Sequence, residues 1–492
     1  MARIEFIDTT LRDGQQSLWA LGMRTGVMLP ALESLDGAGF EAMEFFVPVV
    51  QMKKMIRDLG ENPFHWLSMG AKRAVQTPLR LHAGYRSGLG KVPESVGKLL
   101  VERVIDNGIT VARISDPWND FDTLREEHDT LRAMGMESVV NLIYSVSPRH
   151  TDAYFLDRVA RAVELRPYRL CFKDVGGLLT PERAAELVPR ILQAAGDIPV
   201  EFHCHCNNGL APYNVTRVAE LGIRHIHTAV PPLANGSSQP SVFSAAANLR
   251  AIGFEVGVDE RPLRDVERFL QRIARRDGLP EGAPLEYDAG LYRHQVPGGM
   301  ISNLRYQLDK MGMGHRIDEV IDEAAAVRAD LGYPIMVTPL SQFVGTQAAI
   351  NVIVGERYRQ VTDEIIQYSM GHWGREALDH MDANVADRIQ DRPRARELAL
   401  ADYPEPDLKA LRHRYGEGLS DEELILRVYV DEDAVALARA TPPPTEEALA
   451  GSSLVDLVAR LSRVEGRELI SLRKGDMKLT LHGGGGNRAP GG

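Results

Sequence analysis

Residues 170–177 read LCFKDVGG and residues 201–209 read EFHCHCNNG, separated by a helix-length interval. On an extended strand, side chains two positions apart point the same way, so His203 and His205 share one face while Cys204 takes the other. Lys173 ends the preceding apolar run. A third candidate ligand, Asp13, lies just beyond the first apolar run of the chain, IEFIDTTLRDGQQS at 4–17. If these runs are strands of one parallel barrel, their C-terminal ends meet at one mouth and the three side chains converge despite their distance in sequence.

The pattern around that stretch predicts such a barrel. Short apolar runs alternate with amphipathic segments eight times before about residue 252: IEFID, EAMEFF, LRLHAG, VARISD, VVNLIYS, RLCFKD, VEFHCH and HIHTA. The intervals at 96–107, 122–134, 153–165 and 181–194 carry apolar residues at three- and four-residue spacing, which predicts helices. Thr180-Pro181-Glu182 supplies an N-cap, a proline at the first helical position and an acid in the first turn. The expected fold is α/β, a (β/α)8 TIM barrel with a mostly helical C-terminal domain. An open doubly wound sheet is the rival, but it would not bring the ends of its first, sixth and seventh strands together. The long loops, 47–78 and 230–238, follow strands and so belong to the mouth.

We divide the chain into a barrel over 1–290, a helical domain over 291–440 that completes the active site, and a linker with a small C-terminal segment over 441–492. Two loop signatures interrupt the helical part, HQVPGGMISN at 294–303 and MVTPLSQFVG at 336–345. The tail suggests one amphipathic helix, a short strand pair and a flexible Gly-rich end.

Composition narrows the function classes. The chain has 492 residues, 44% of them apolar, and a net charge of -11, which disfavours nucleic acid and acidic membranes as partners. No apolar run is long enough for a membrane span and the N-terminus enters a strand-like run at once, so a cytoplasmic protein is expected. The 3 cysteines, Cys171, Cys204 and Cys206, do not suggest a disulfide framework.

Two imidazoles and a carboxylate form an incomplete shell for a divalent ion. Lys173 is unsuitable as an ammonium, but a neutral amine that adds CO2 becomes a carbamate, an anionic oxygen donor. Alternatively, Lys173 pairs with Asp13 or Asp174 in a metal-free mouth. A zinc knot from His203-Cys204-His205-Cys206 would require breaking the strand, because alternation turns the cysteines away. His225 and His227 repeat the spacing on the eighth run and read as core or rim histidines. Arg12 and Gln16 flank Asp13 and can hold a carboxylate or an enolate oxygen, or simply close a salt-bridged loop.

DTTLRDGQQS, FKDVGGLLTP, HCHCNNG, SSQPS, HQVPGGMISNL and VTPLSQFVG occur in an order and spacing that resemble the carboxyltransferase domain of biotin-dependent enzymes. That family includes pyruvate carboxylase, the oxaloacetate decarboxylase alpha subunit and transcarboxylase. The resemblance covers roughly residues 3–430. It implies that Asp13, His203, His205 and carbamylated Lys173 bind zinc, manganese or cobalt, that Arg12 and Gln16 contact substrate, and that Thr338 shuttles a proton between substrate and biotin. It also implies a biotin carboxylase subunit and a biotin carboxyl carrier protein as partners, and a homodimer or larger assembly. A Claisen-type synthase or lyase on the same barrel is the alternative enzyme, and a non-catalytic scaffold the alternative class.

The chain also departs from the family. HWLSMGAKRAVQTP at 65–78 replaces the usual loop with its substrate arginine, leaving Lys72 or Arg73 as candidates for that role. SDPWND at 115–120 sets Pro117 and Trp118 at the pocket, and Gln15 replaces a histidine. These changes put pyruvate in doubt as substrate. Asp476-Met477-Lys478-Leu479 is only faintly similar to a biotin-acceptor hairpin. Biotin is therefore expected on a separate protein, with the segment from Leu454 to Leu481 a candidate dock.

Overall fold

A computed structural model describes residues 2–86, 92–296, 298–400, 405–442, 444–449, 469–474 and 477–482. Eight strands form where the eight apolar runs were read: β1 (Arg3–Asp8), β2 (Ala42–Phe46), β3 (Leu79–His82), β4 (Val111–Ile114), β5 (Glu137–Ile143), β6 (Arg169–Asp174), β7 (Val200–Cys204) and β8 (His225–Thr228). Neighbours in sequence pair in parallel, and β1 pairs with both β2 and β8, so the sheet closes. A two-residue strand, β9 (Glu255–Val256), extends the pairing of β1 outside the barrel.

The helices between strands bury one apolar stripe. The helix Pro181–Ala195 starts at Thr180, whose hydroxyl accepts the Arg183 N–H at 3.1 Å, and buries Ala184, Leu187, Val188, Ile191 and Ala195. That spacing matches the 3.6-residue turn and covers the outer face of the barrel. The long segment after β2 is not an open loop: it folds into helices Val50–Arg57 and Pro63–Arg73.

Inside the barrel the filling is unusual. Barrel lumens are commonly packed with branched apolar side chains, whereas here charged groups meet across the lumen. Arg80 on β3 reaches Glu201 on β7 at 2.7 Å, and Arg113 on β4 reaches Glu44 on β2 at 2.5 Å. Arg169 on β6 also touches Glu201, at 3.3 Å, and pairs with Glu41 at 2.9 Å. Buried charges persist only when paired and hydrogen-bonded. Glu44 meets that condition between Arg113 and Arg12, whose Nε donates to its Oε2 at 2.7 Å.

A second apolar core lies in the helical part. Helices Ile317–Asp330 and Leu340–Val354 pack together and bury Val320, Ala324, Val327, Val344 and Ala348. The region 291–440, read from sequence as one helical domain, contributes to two cores. Helices Leu408–Tyr415, Asp421–Tyr429 and Glu432–Ala440 place Leu411, Leu424, Ile425 and Val435 in the barrel's apolar layer. Apolar periodicity announces a helix but does not say which core receives its stripe. Trp118 goes the opposite way. Expected at the pocket, it is buried in the second core, and its indole N–H donates to the Trp373 carbonyl at 2.9 Å.

The strand pair expected near the end is present as β10 (Leu469–Lys474) and β11 (Met477–His482), antiparallel. The amphipathic helix and Gly-rich end read from the same tail lie outside the described residues, as does Pro297 of the 294–304 motif. Among the described residues, no helix is long and apolar enough to cross a membrane.

Replacing Glu44 with alanine removes the carboxylate between two buried guanidinium groups. The expected loss is about 3–5 kcal/mol, read as a lower urea midpoint, with Glu44→Gln costing less because its amide oxygen still accepts from one of the two guanidinium groups.

Candidate active site

Asp13 is carried by a wide helical turn, Thr10–Gly14, in which the Gly14 N–H reaches back five residues to the Thr9 carbonyl at 2.9 Å. The turn is anchored to the strand beside it, because the Thr9 hydroxyl lies 2.9 Å from the Thr228 carbonyl on β8. His203 is on β7 and His205 immediately follows it. Asp13 Oδ2 sits 3.2 Å from His203 Nε2 and 3.6 Å from His205 Nε2, and the two Nε2 atoms are 3.2 Å apart. Donors about 2.1 Å from a shared ion are about 3.0–3.4 Å from one another in octahedral or tetrahedral geometry. Two of the triad's distances fall in that range, and the third, 3.6 Å between Asp13 and His205, lies just beyond it, so a small shift of one side chain completes the spacing.

The donor chemistry also fits a cation. His205 Nδ1 lies 2.6 Å from the Ser237 carbonyl, an obligate acceptor, so Nδ1 carries the proton and Nε2 turns a lone pair inward. Burial would raise the Asp13 pKa, but the positive surroundings, the Arg12 guanidinium foremost, outweigh it and hold the carboxyl well below its usual range. Arg12 donates to Asp13 Oδ2 at 2.9 Å and the Ser17 hydroxyl to Oδ1 at 3.1 Å. The Gln239 amide nitrogen is 3.0 Å from His205 Nε2.

Lys173 stands beside this triad. It pairs in register with His203 across β6 and β7, and both are buried on the lumen side. Burial first, and then the charge of Arg113, bring its pKa down to about 8. Its neighbour Asp174 faces the other way and accepts the N–H groups of Leu178 and Leu179, each at 2.9 Å, which fixes the turn after β6. Gly177 in that turn has φ +67°, and a Cβ there would lie 2.9 Å from the His205 carbonyl oxygen. The second glycine of FKDVGG thus allows β6 and β7 to end side by side.

Arg12, Asp13, Gln16, Lys173, His205 and Thr338 all line one cavity of about 1660 Å³ between barrel mouth and helical part. The exposed Thr338 is contributed from the helical side, just before the helix Leu340–Val354. Gln16 Oε1 faces Arg12 Nη1 at 3.5 Å. Lys72 and Arg73 are not in this cavity. Both lie in the last turn of the helix Pro63–Arg73, where Arg73 pairs with Glu446 at 2.8 Å. They follow β2 in sequence, but the helical fold of that segment takes them away from the mouth.

The zinc knot does not form: Cys204 and Cys206 are packed in the apolar layer outside the lumen, while the histidines group with Asp13. Gln15 is buried against Leu11 and Met23. Three residues at the site were not singled out from sequence. Gln239 sits in the SSQPS motif, which could have signalled it. Glu44 gave no local signal. His82 ends β3 and lines the cavity, with Nδ1 buried and unpartnered among the described residues. Burial, then Arg12, Arg113 and Lys173, push its pKa well down, so it presents a neutral imidazole.

The fold and site define a protein of the (β/α)8 class, with a candidate divalent-metal site at its strand ends and a helical unit facing the mouth. Comparison with known proteins narrows this. A family described as "Conserved carboxylase domain" matches residues 291–447, and one described as "HMGL-like" matches residues 121–270. A pyruvate carboxylase subunit of Methanocaldococcus jannaschii is 36% identical over 376 residues, 76% of this chain and 66% of that protein. The 2-oxoglutarate carboxylase large subunit of Hydrogenobacter thermophilus is 33% identical over 377 residues, 76% of this chain and 58% of that one. The match therefore spans only part of the length of these relatives. The carboxyl transferase domain of Rhizobium etli pyruvate carboxylase has the same fold, with a TM-score of 0.80 at 21% identity, over 98% of this chain and 84% of that domain. The chain belongs to the carboxyltransferase family of biotin-dependent carboxylases.

Removing a ligand should empty the site without unfolding the barrel. The protein is expected to hold one divalent ion per chain after dialysis, and Asp13→Asn and His205→Ala to hold far less, measured by elemental analysis alongside circular dichroism.

Proposed function

We propose that this chain is the carboxyltransferase component of a multi-subunit biotin-dependent carboxylase, moving CO2 between carboxybiotin and an enolisable carbonyl compound. The observation that carries this reading is Lys173, a buried amine with its pKa brought down to about 8, in register with His203 beside the Asp13–His203–His205 triad. A neutral amine adds CO2 with loss of one proton and becomes a carbamate, which offers the oxygen donor that the triad lacks. Asp13, His203, His205 and carbamylated Lys173 would then hold zinc, manganese or cobalt.

A metal bound there supplies Lewis acidity toward the substrate's carbonyl oxygen. Biotin, brought by a separate carrier protein, supplies the carboxyl group. The Arg12 guanidinium, fixed by Glu44 and Asp13, keeps positive charge beside the position where an enolate oxygen develops. Gln16 directs its carbonyl oxygen toward Arg12 and leaves its N–H groups for a substrate oxygen. Thr338 Oγ1, on the facing side of the cavity, would take a proton from the substrate carbon and give its own to the biotin nitrogen as the bond from that nitrogen to CO2 breaks, leaving an enolate carbon that bonds the released CO2. Because each transfer is reversible, the same groups serve carboxylation and decarboxylation. The acceptor is a 2-oxo acid such as pyruvate or oxaloacetate, or a related carbonyl compound.

A biotin carboxylase subunit and a biotin carboxyl carrier protein complete the proposed enzyme, in the cytoplasm, with this chain as a homodimer or larger assembly. The proposed division of labour assigns the metal and substrate oxygen to the barrel over 1–290, and proton transfer to the Thr338 loop of 291–440. The segment from Leu454 to Leu481 is the proposed dock for the carrier.

The test is carboxyl exchange between free biotin and a panel of keto acids, thioesters and amides. Thr338→Ala should lower the rate by about 10²–10⁴-fold with metal content unchanged. Lys173→Ala should abolish exchange, whereas a Claisen-type lyase relying on Asp13 and the two histidines would tolerate it. Metal uptake by the stripped protein in bicarbonate should rise with pH through about 8, because Lys173 is neutral and able to add CO2 only above its pKa. Metal uptake that is flat between pH 7 and 9 would contradict the carbamate.

A further inference from the structure

His203 has a neighbour on each ring nitrogen. Its Nε2 faces Asp13 at 3.2 Å, and its Nδ1 lies 3.0 Å from Nδ1 of His227 on β8. His227 Nε2 in turn lies 3.1 Å from Glu201 Oε2 on β7. Glu201 is gripped by Arg80 at 2.7 Å and Arg169 at 3.3 Å through its other oxygen, so it is a carboxylate and can only accept.

The proton order follows by elimination. Two imidazole nitrogens 3.0 Å apart need one proton between them. If His227 Nδ1 donated, its Nε2 would either turn a lone pair toward the Glu201 carboxylate, or carry a second proton and make the ring cationic. The first arrangement sets two acceptors against each other. The second puts a further positive charge in a fully buried position that already holds the Arg113 guanidinium, with both groups near the same oxygen of Glu44. The remaining carboxylate near His227, Glu44 Oε1 at 3.7 Å from its Nδ1, is engaged by Arg113. The arrangement that satisfies every atom has His227 Nε2–H donating to Glu201 and His203 Nδ1–H donating to His227 Nδ1.

We propose that Glu201 and His227 are positioning residues for the metal centre, a relay that fixes His203 as the Nδ1–H tautomer and presents its Nε2 lone pair to the ion. His205 reaches the same tautomer by a different route, through the Ser237 carbonyl. The relay also assigns a role to two further clusters with metal-ligand spacing, Glu44–His203–His227 and Cys171–Glu201–His227. Their carboxylates are occupied by arginines, so they support the ion above them and hold none themselves. The proposal rests on the metal reading of Asp13, His203 and His205, and its test separates the two.

The full-length chain is compared with its His227→Phe and His227→Gln variants, using zinc affinity from chelator competition. Phenylalanine fills the space without accepting a hydrogen bond, and a drop of about 10–100-fold in affinity is expected. Glutamine can accept from His203 and donate to Glu201, and should stay within a few-fold of the parent. Equal affinity in all three proteins, or an equal loss in both variants, overturns the relay, whereas failure of the unaltered chain to bind zinc overturns the metal reading itself. Should His227→Phe not fold, the decisive measurement is long-range proton–nitrogen correlation of the histidine rings in the unaltered, metal-stripped protein. His227 protonated at Nε2 and His203 at Nδ1 is the expected result, and His203 protonated at Nε2 overturns it.

Discussion

Two imidazole nitrogens and a carboxylate oxygen turned toward one another at 3.2–3.6 Å are the constraint on which this molecule depends. Three lone-pair donors in such contact are unfavourable unless a positive charge joins them, and the fold brings them together from residues about 190 apart in sequence. Closure of the barrel achieves this. Pairing of β1 with β8 sets the Asp13 turn against the end of β7, and the Lys173–His203 register sets the amine at the same level. An open sheet with the same strands would leave β1 on one side and the histidines on another.

Beneath the triad, the lumen is built from ion pairs where a barrel more often carries branched hydrocarbons. Glu44 ties Arg12 at the mouth to Arg113 below it, and Glu201 ties Arg80 and Arg169 to His227. Such pairs contribute little net stability over an apolar filling, because desolvation offsets most of the attraction. Their value lies in orientation: each fixes the direction of a donor or a lone pair one layer higher. The same network brings down the Lys173 pKa, since an arginine below and burial around it both disfavour the ammonium.

The helical part has a different task. It carries Thr338 to the cavity opposite the triad and interlocks with the barrel through Trp118 and through Arg328, whose Nη2 donates to the Ser145 hydroxyl at 3.0 Å. Thr338 on the helical side and the triad on the barrel side leave a cavity of about 1660 Å³ between them. The family relationship fits this division, and its members are named for carboxylation of different acids, as expected of a scaffold that serves several acceptors.

Much of this was legible in the chain itself. Eight short apolar runs and the helices between them are local properties, and all eight strands formed where they were read. The paired histidines, Lys173 and Asp13 were legible too, because strand alternation and the common mouth of a parallel barrel are geometric rules that need no coordinates. What only tertiary structure decided depends on contacts between distant residues. Lys72 and Arg73 looked suitable by their place after β2, yet the helix they end keeps both out of the cavity and turns Arg73 to Glu446. Trp118 and the helices beyond Leu408 joined cores that no periodicity distinguishes. Glu44 and Glu201 gave no signal in the sequence and His227 read as a core or rim histidine, because a buried carboxylate acquires its meaning from the guanidinium that faces it. That partner lies on a strand across the lumen, at a distance in sequence that no local pattern spans.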